Sequence, residues 1–258
     1  MSSSRRDGLR QIAALALTAG AALLPPAAAR SAPLHARLVA TEFPPYTSAT
    51  LPGGGIACAI TRAALERSGW TMSLAFRPWA RALSEFRQGL HDGVIGTWHS
   101  AERAATMRFP RDLGLINRIG FMARAGSGLK VDELAQLAGL RVGTVLGYAN
   151  PERFERARLT VDPAVDDLAN LRKLLAGRVE LALIDKGVAF HLLDTELREQ
   201  AARLVWLEPA LSEVPLYTVF AKGRAETERM AAAFDTGLAQ LQSGGRIAEL
   251  LRQGARWQ

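Results

Sequence analysis

Apolar residues recur with two different periods along most of this chain. Short apolar runs bounded by Gly, Pro or Asp read as strands, and apolar residues three or four apart read as amphipathic helices. "ARLVATEF" (36–43) is a strand that runs into a Pro-rich loop. A helix follows from Ile56 to Ser68, stopped by Gly69, and then the strand "TMSLAFR" (71–77). Pro78 opens a helix on which Trp79, Leu83, Phe86 and Leu90 share one stripe. "DGVIGTW" (92–98) is a buried strand, and Ser100 is placed to cap a short helix. After Phe109-Pro110 the pattern restarts: strand "RIGFMAR", short helix "DELAQLAG", strand "LRVGTVLG", then a helix "PERFERA" with Asn150 as its expected cap. The amphipathic stretch "DDLANLRKLLAG", the buried strand "VELALID", the strands "RLVWLEP" and "PLYTVFAKG", and a long helix striped by Met230, Phe234, Leu238 and Leu241 complete the chain. Alternating strands and helices of this kind predict an α/β fold with mostly parallel sheets.

Two pieces of the pattern echo each other. Laying residues 83–97 over 171–185 matches Leu83 with Leu171, Phe86 with Leu174 and Gly89 with Gly177. The same alignment matches Asp92 with Glu180 and Thr97 with Asp185. The echo suggests two similar α/β lobes. Ligands of open α/β sheets bind beyond the carboxyl ends of the strands, so Thr97 and Asp185 are expected to face one cleft.

The start of the chain reads differently. "MSSSRRDGLRQ" is basic, "IAALALTAGAALL" apolar, and "PPAAA" ends in small residues. That order is a secretory signal over residues 1–29, with Ala27-Ala28-Ala29 as the cleavage site and an apolar run too short to span a membrane. Arg5-Arg6 approaches a twin-arginine signal, but Gly8 stands where an aromatic is usual, so Sec export is equally open. The expected destination is the periplasm. Arg5, Arg6 and Arg10 against Asp7 give the leader a net +2, leaving +5 of the chain's +7 for the rest. Those arginines are interspersed with acids, which argues against nucleic acid as a partner. Cys58 is the single cysteine, so there is no disulfide, and its apolar helical setting makes it a buried spacer. His99 and Glu102 are two ligands at most, so neither a metal nor another cofactor is expected.

The series "TEFPPY", "HDGVIGTWHSAERAATMRFP", "DELAQLAGLRVGTVLGY" and "LLAGRVELALID" resembles, in order and over nearly the whole chain after the leader, the bacterial extracellular solute-binding proteins of family 3. These are periplasmic receptors for polar amino acids. The resemblance implies the type II periplasmic-binding-protein fold, with lobe 1 in residues 30–118 and 216–258 and lobe 2 in residues 119–215. Two crossing strands, "RIGFMAR" going out and "PLYTVFA" coming back, would join them around a ligand cleft. It further implies that Arg103 grips a ligand carboxylate, that Asp185 takes the ammonium, and that an ABC permease receives the loaded protein.

The residues themselves bear on these roles. Arg103 falls in the first turn after Ser100, where backbone amides favour an anion and a guanidinium can add two parallel hydrogen bonds. The blander alternative pairs it with a surface acid. Asp185 ends an apolar run, a costly place for a carboxylate without a cation, yet it can equally cap the helix that follows. Glu42 and Tyr46 follow the first strand, and Trp98 follows Thr97; all are expected at the cleft. Thr144, Gly147 and Tyr148 supply its second-lobe wall, with Tyr148 standing where many family members carry Ser or Thr. Trp79 completes the expected set, although its helical stripe favours core packing over ligand stacking. Arg81 and Glu85, four apart, read as a plain helix-surface pair. The same scaffold also carries cyclohexadienyl dehydratases, in which Glu42 or Asp185 would be the acid. No nucleophile–base pair is visible here, so binding rather than catalysis is expected.

Overall fold

The structure, a computed structural model, describes residues 34–254; the expected leader lies outside them. Two five-stranded sheets organise the chain. In the first, β1 (Leu34–Ala40) pairs in parallel with β2 (Trp70–Phe76) on one side and β3 (Gly93–Thr97) on the other. The antiparallel β10 (Tyr217–Ala221) then joins β3 to the two-residue β4 (Met107–Arg108). In the second, β6 (Arg141–Val145) lies in parallel between β7 (Thr160–Ala164) and β8 (Leu181–Asp185). The antiparallel β5 (Ile116–Arg124) separates β8 from β9 (Leu204–Pro215). The α/β expectation holds, and the two sheets repeat one plan: three parallel strands, then an antiparallel neighbour.

The echo seen in the sequence is this repetition. Each copy is a helix leading into a central strand: α2 (Trp79–Arg87) into β3, and α5 (Asp167–Leu175) into β8. Gly89 and Gly177 end the two helices with φ of 78° and 70°, a left-handed turn that side chains resist. The matched acids do the same work. Asp92 accepts the backbone N–H of Arg37 at 2.9 Å and its guanidinium at 2.7 Å. Glu180 accepts the backbone N–H of Arg141 at 2.8 Å and its guanidinium at 3.2 Å. Each acid thereby ties the entry of its central strand to the strand beside it.

β3 and β8 are buried along almost their whole length, as central strands covered on both faces must be. Over the first sheet, α1 (Ile56–Arg67) packs on the long α7 (Ala225–Ser243), whose predicted stripe of Met230, Phe234, Leu238 and Leu241 is buried. A side chain at Gly237 would run into the Ala64 carbonyl, so only glycine permits that approach. Cys58 is fully buried in α1.

The chain passes between the sheets through Phe109–Leu115 and returns at Leu216. The two passages are hydrogen-bonded to each other, Leu113 N–H to Leu216 O and Leu216 N–H to Leu115 O, both at 2.9 Å. The helix at "PERFERA", α4 (Glu152–Arg156), is capped differently from expectation. Pro151 itself occupies the cap, while Asn150 Nδ2 donates to Glu155 Oε1 at 2.7 Å. "DELAQLAG" yields only a 3-10 turn, Leu134–Leu137, because four residues gain too few hydrogen bonds to complete an α-helix.

Candidate ligand cleft

The cleft assembles from the carboxyl ends of the parallel strands in both sheets. From β3 the chain runs through Trp98 to Ser100, whose Oγ accepts the Arg103 N–H and caps the six-residue helix α3 (Ala101–Thr106). Arg103 is the buried residue of α3, only 7% exposed. Its Nη1 donates to Trp98 O at 2.8 Å and its Nη2 to Gly147 O at 3.0 Å, so the guanidinium spans the two sheets' elements. It also lies 5.0 Å from the centre of the Trp79 ring, an attractive cation–aromatic distance. Burial pulls its pKa down to about 10, which leaves it charged at neutral pH. Among the described residues it forms no ion pair.

Across the cleft, β6 leads to Gly147, which turns with φ of 79° and presents its carbonyl to Arg103 and to Trp79 Nε1 at 2.7 Å. The next residue, Tyr148, meets Trp98, Trp79 and Phe43 edge to face, with centroids 5.3, 6.0 and 6.1 Å apart. Phe43, from the loop after β1, stacks on Tyr46 at 5.4 Å. Edge-to-face and offset arrangements of this kind are the favourable ones for aromatic pairs. The space enclosed beside Arg103, Thr41 and Gly96 is only about 10 Å³, the room of one water molecule.

Asp185 ends β8 and is 1% exposed. Its Oδ1 accepts the Val188 N–H and caps α6 (Lys186–Asp194), while Oδ2 accepts the Arg118 N–H, each at 2.9 Å. The Tyr46 phenol, from the other sheet's side, lies near enough to help hold the carboxyl down. Burial raises the Asp185 pKa to about 6 despite these bonds. Burial, and after it the neighbouring Asp185 carboxylate, push the Tyr46 phenol well above its ordinary value. Glycine at 187 lets that phenol approach, because a Cβ there would lie 2.7 Å from its oxygen.

The residues singled out from the sequence therefore divide. Arg103, Trp98, Tyr148, Gly147 and Trp79 form one cluster, and Tyr46 joins Asp185 beside it. Trp79 has both of its alternative environments: its ring packs with Leu83 and Phe86, while its indole N–H crosses to Gly147. Thr97 is fully buried, and its hydroxyl has no partner among the described residues. Thr144 is buried in β6 and does not line the space beside Arg103. Glu42 is exposed, accepts the Ala49 N–H at 2.9 Å, and lines a different pocket. Arg81 does pair with Glu85 at 2.7 Å, but Glu85 also gathers His91 and Arg77. Those partners, His91 first, hold its carboxyl down at about 2. Two residues escaped the sequence reading. Asn117 Oδ1 accepts the Trp98 indole N–H at 2.7 Å, and Asp167 Oδ2 accepts the Tyr148 hydroxyl at 3.0 Å.

No family model matches this sequence. No curated protein matches it either. Among solved structures the architecture is well represented, and it is the two-lobed periplasmic-binding-protein fold. A histidine kinase sensor domain with similarity to periplasmic binding proteins aligns with TM-score 0.75 and 21% identity, covering 87% of this chain and 96% of that one. The substrate-binding protein of an amino acid ABC transporter aligns at 0.72 and 16%, covering 85% and 98%. The GluR0 ligand-binding core from Nostoc punctiforme, in complex with L-glutamate, aligns at 0.71 and 15%, covering 84% and 98%.

Proposed function

We propose that this chain is a periplasmic solute-binding protein whose lobes close around an amino acid or a similar small zwitterion. The observation that carries the reading is Arg103. A guanidinium this buried, with no carboxylate partner among the described residues, is an expensive arrangement unless an anion comes to it. Its two bonds go to carbonyls on opposite walls of the cleft, and the planar fork retains further donors for a carboxylate. In this reading Asp185 receives the ligand's ammonium by exchanging the Tyr46 phenol for it. The phenyl, indole and phenol rings that fill the cleft make room by parting of the lobes, which we divide as residues 30–118 with 216–258 and residues 119–215.

The leader over residues 1–29 supports export to the periplasm, and no described helix is long and apolar enough to cross a membrane. The solute would be handed to an ABC permease. A sensory variant of this function, in which the closed form signals to a partner, is supported by the likeness to a kinase sensor domain.

Calorimetric titration of the purified protein with the common amino acids tests the proposal. One or more should bind, and Arg103→Ala should weaken that binding at least about 100-fold, the scale of a lost charge-assisted pair. Unchanged affinity in Arg103→Ala would remove the clamp. Absence of any binding, with turnover of prephenate or arogenate, would replace the receptor by an enzyme using the raised Asp185 as its acid.

A further inference from the structure

Behind Tyr148 lies a second space of about 260 Å³, between the loop after β1 and the starts and ends of α5 and α6. Glu42, Asp166, Asp167 and Glu196 line it, together with His191, and no lysine or arginine does. In a chain of net charge +7 such a one-signed lining needs a reason. Two of the acids are engaged locally: Glu42 accepts the Ala49 N–H, and Asp166 caps α5 through the Ala169 N–H at 2.7 Å. Asp167 is different. It is 3% exposed, its Oδ2 takes the Tyr148 hydroxyl at 3.0 Å, and its Oδ1 is buried with no partner among the described residues. A buried carboxylate oxygen left unsatisfied is destabilising unless a donor completes it.

Tyr148 connects the two spaces. Its ring walls the aromatic space beside Arg103, and its hydroxyl ends at Asp167. The Tyr148–Asp167 bond is thus the link between the Arg103 space and the acidic one. We infer that Asp167, with Glu42 facing the same space, forms a subsite for a second positive charge, so that the solute is a diamino or guanidino acid.

The proposal rests on the Arg103 clamp argued above and deepens it. Within the subsite, the ligand's terminal cation replaces the Tyr148 hydroxyl on Oδ2 and satisfies Oδ1. Asp167 is held out of water, so an uncharged isostere that keeps the ligand's shape leaves that acid unpaired.

The test compares L-lysine with L-norleucine and L-arginine with L-citrulline by calorimetric titration of the full chain, in wild type, Asp167→Asn and Glu42→Gln. These pairs differ chiefly in the terminal charge. At least one charged member should bind ten-fold or more tighter than its neutral partner. That preference should fall to less than about three-fold in Asp167→Asn and shrink partially in Glu42→Gln. Equal affinity of charged and neutral members in wild type, with binding still lost in Arg103→Ala, overturns the subsite and leaves the clamp standing. No binding by any of the four in wild type overturns the subsite. Loss of binding to other amino acids as well would overturn the clamp with it. A preference that survives in Asp167→Asn, folded by circular dichroism, removes Asp167 from the subsite.

Discussion

Asp167 and Asp185 belong to the same half of the molecule, and burial raises both carboxyls, to about 7 and about 6. Their ordinary value is 3.8. Between pH 4 and 7 the folded chain thus holds protons that the unfolded chain has released. Folding stability contributed by these groups therefore declines as pH rises through that window, and the full penalty applies above it. For Asp167 the penalty at neutral pH is on the order of a few kcal/mol. Asp167→Asn should then melt higher than wild type at pH 7 and close to it at pH 4, by calorimetry across that range. A parallel pH slope in the two proteins would mean that Asp167 titrates normally. Asp185 was legible as a constrained carboxylate because it closes an apolar strand. Asp167 was not: in "VDDLAN" two adjacent acids open a helix, and either could be the cap. The one that becomes buried is decided by Tyr148, a residue of another element that no local pattern connects to it.

At the level of elements, the central strands were the most readable parts. β3 and β8 are short apolar runs entered from glycine turns at Gly89 and Gly177, and their neighbours repeat the same plan. β7 was missed for a physical reason. "TVDPA" contains Pro163, which cannot donate to a ladder, and it is tolerated because β7 is an edge strand. The terminal helix α8 (Arg246–Gly254) was also missed. The close packing of α1 on α7 was half legible. The stripe on α7 was visible, but the need for Gly237 was not, because it depends on the Ala64 backbone across the contact. Gly237→Ala should accordingly cost about 1–3 kcal/mol through overpacking, although alanine is the better helix former. Chemical denaturation would show this as a lower midpoint with an unchanged slope. A rise in stability would show that the two helices can separate without loss.

At the scale of the whole molecule, side chains from the elements of the two sheets reach across to each other. Trp79 and Arg103 reach across to the Gly147 carbonyl, and Tyr46 meets Asp185. Beside them the rings of Phe43, Trp98 and Tyr148 occupy the space between the lobes. On the proposed function, in which these contacts hold the closed form, they compete with the ligand, because the room left beside Arg103 is about one water molecule. A ligand stabilises the closed form only by as much as its own contacts exceed the ones it displaces, so the self-made contacts set a tax on affinity. Trp79→Phe keeps an aromatic ring in the stripe with Leu83 and Phe86 but removes the indole N–H to Gly147. The closed form without ligand should lose roughly 1 kcal/mol, about five-fold in population. Small-angle scattering of the ligand-free variant should give a larger radius of gyration than wild type, and saturating ligand should bring the two together. If the variant and wild type scatter alike when empty, the Trp79 bond contributes nothing to closure, and the aromatic packing alone must account for it.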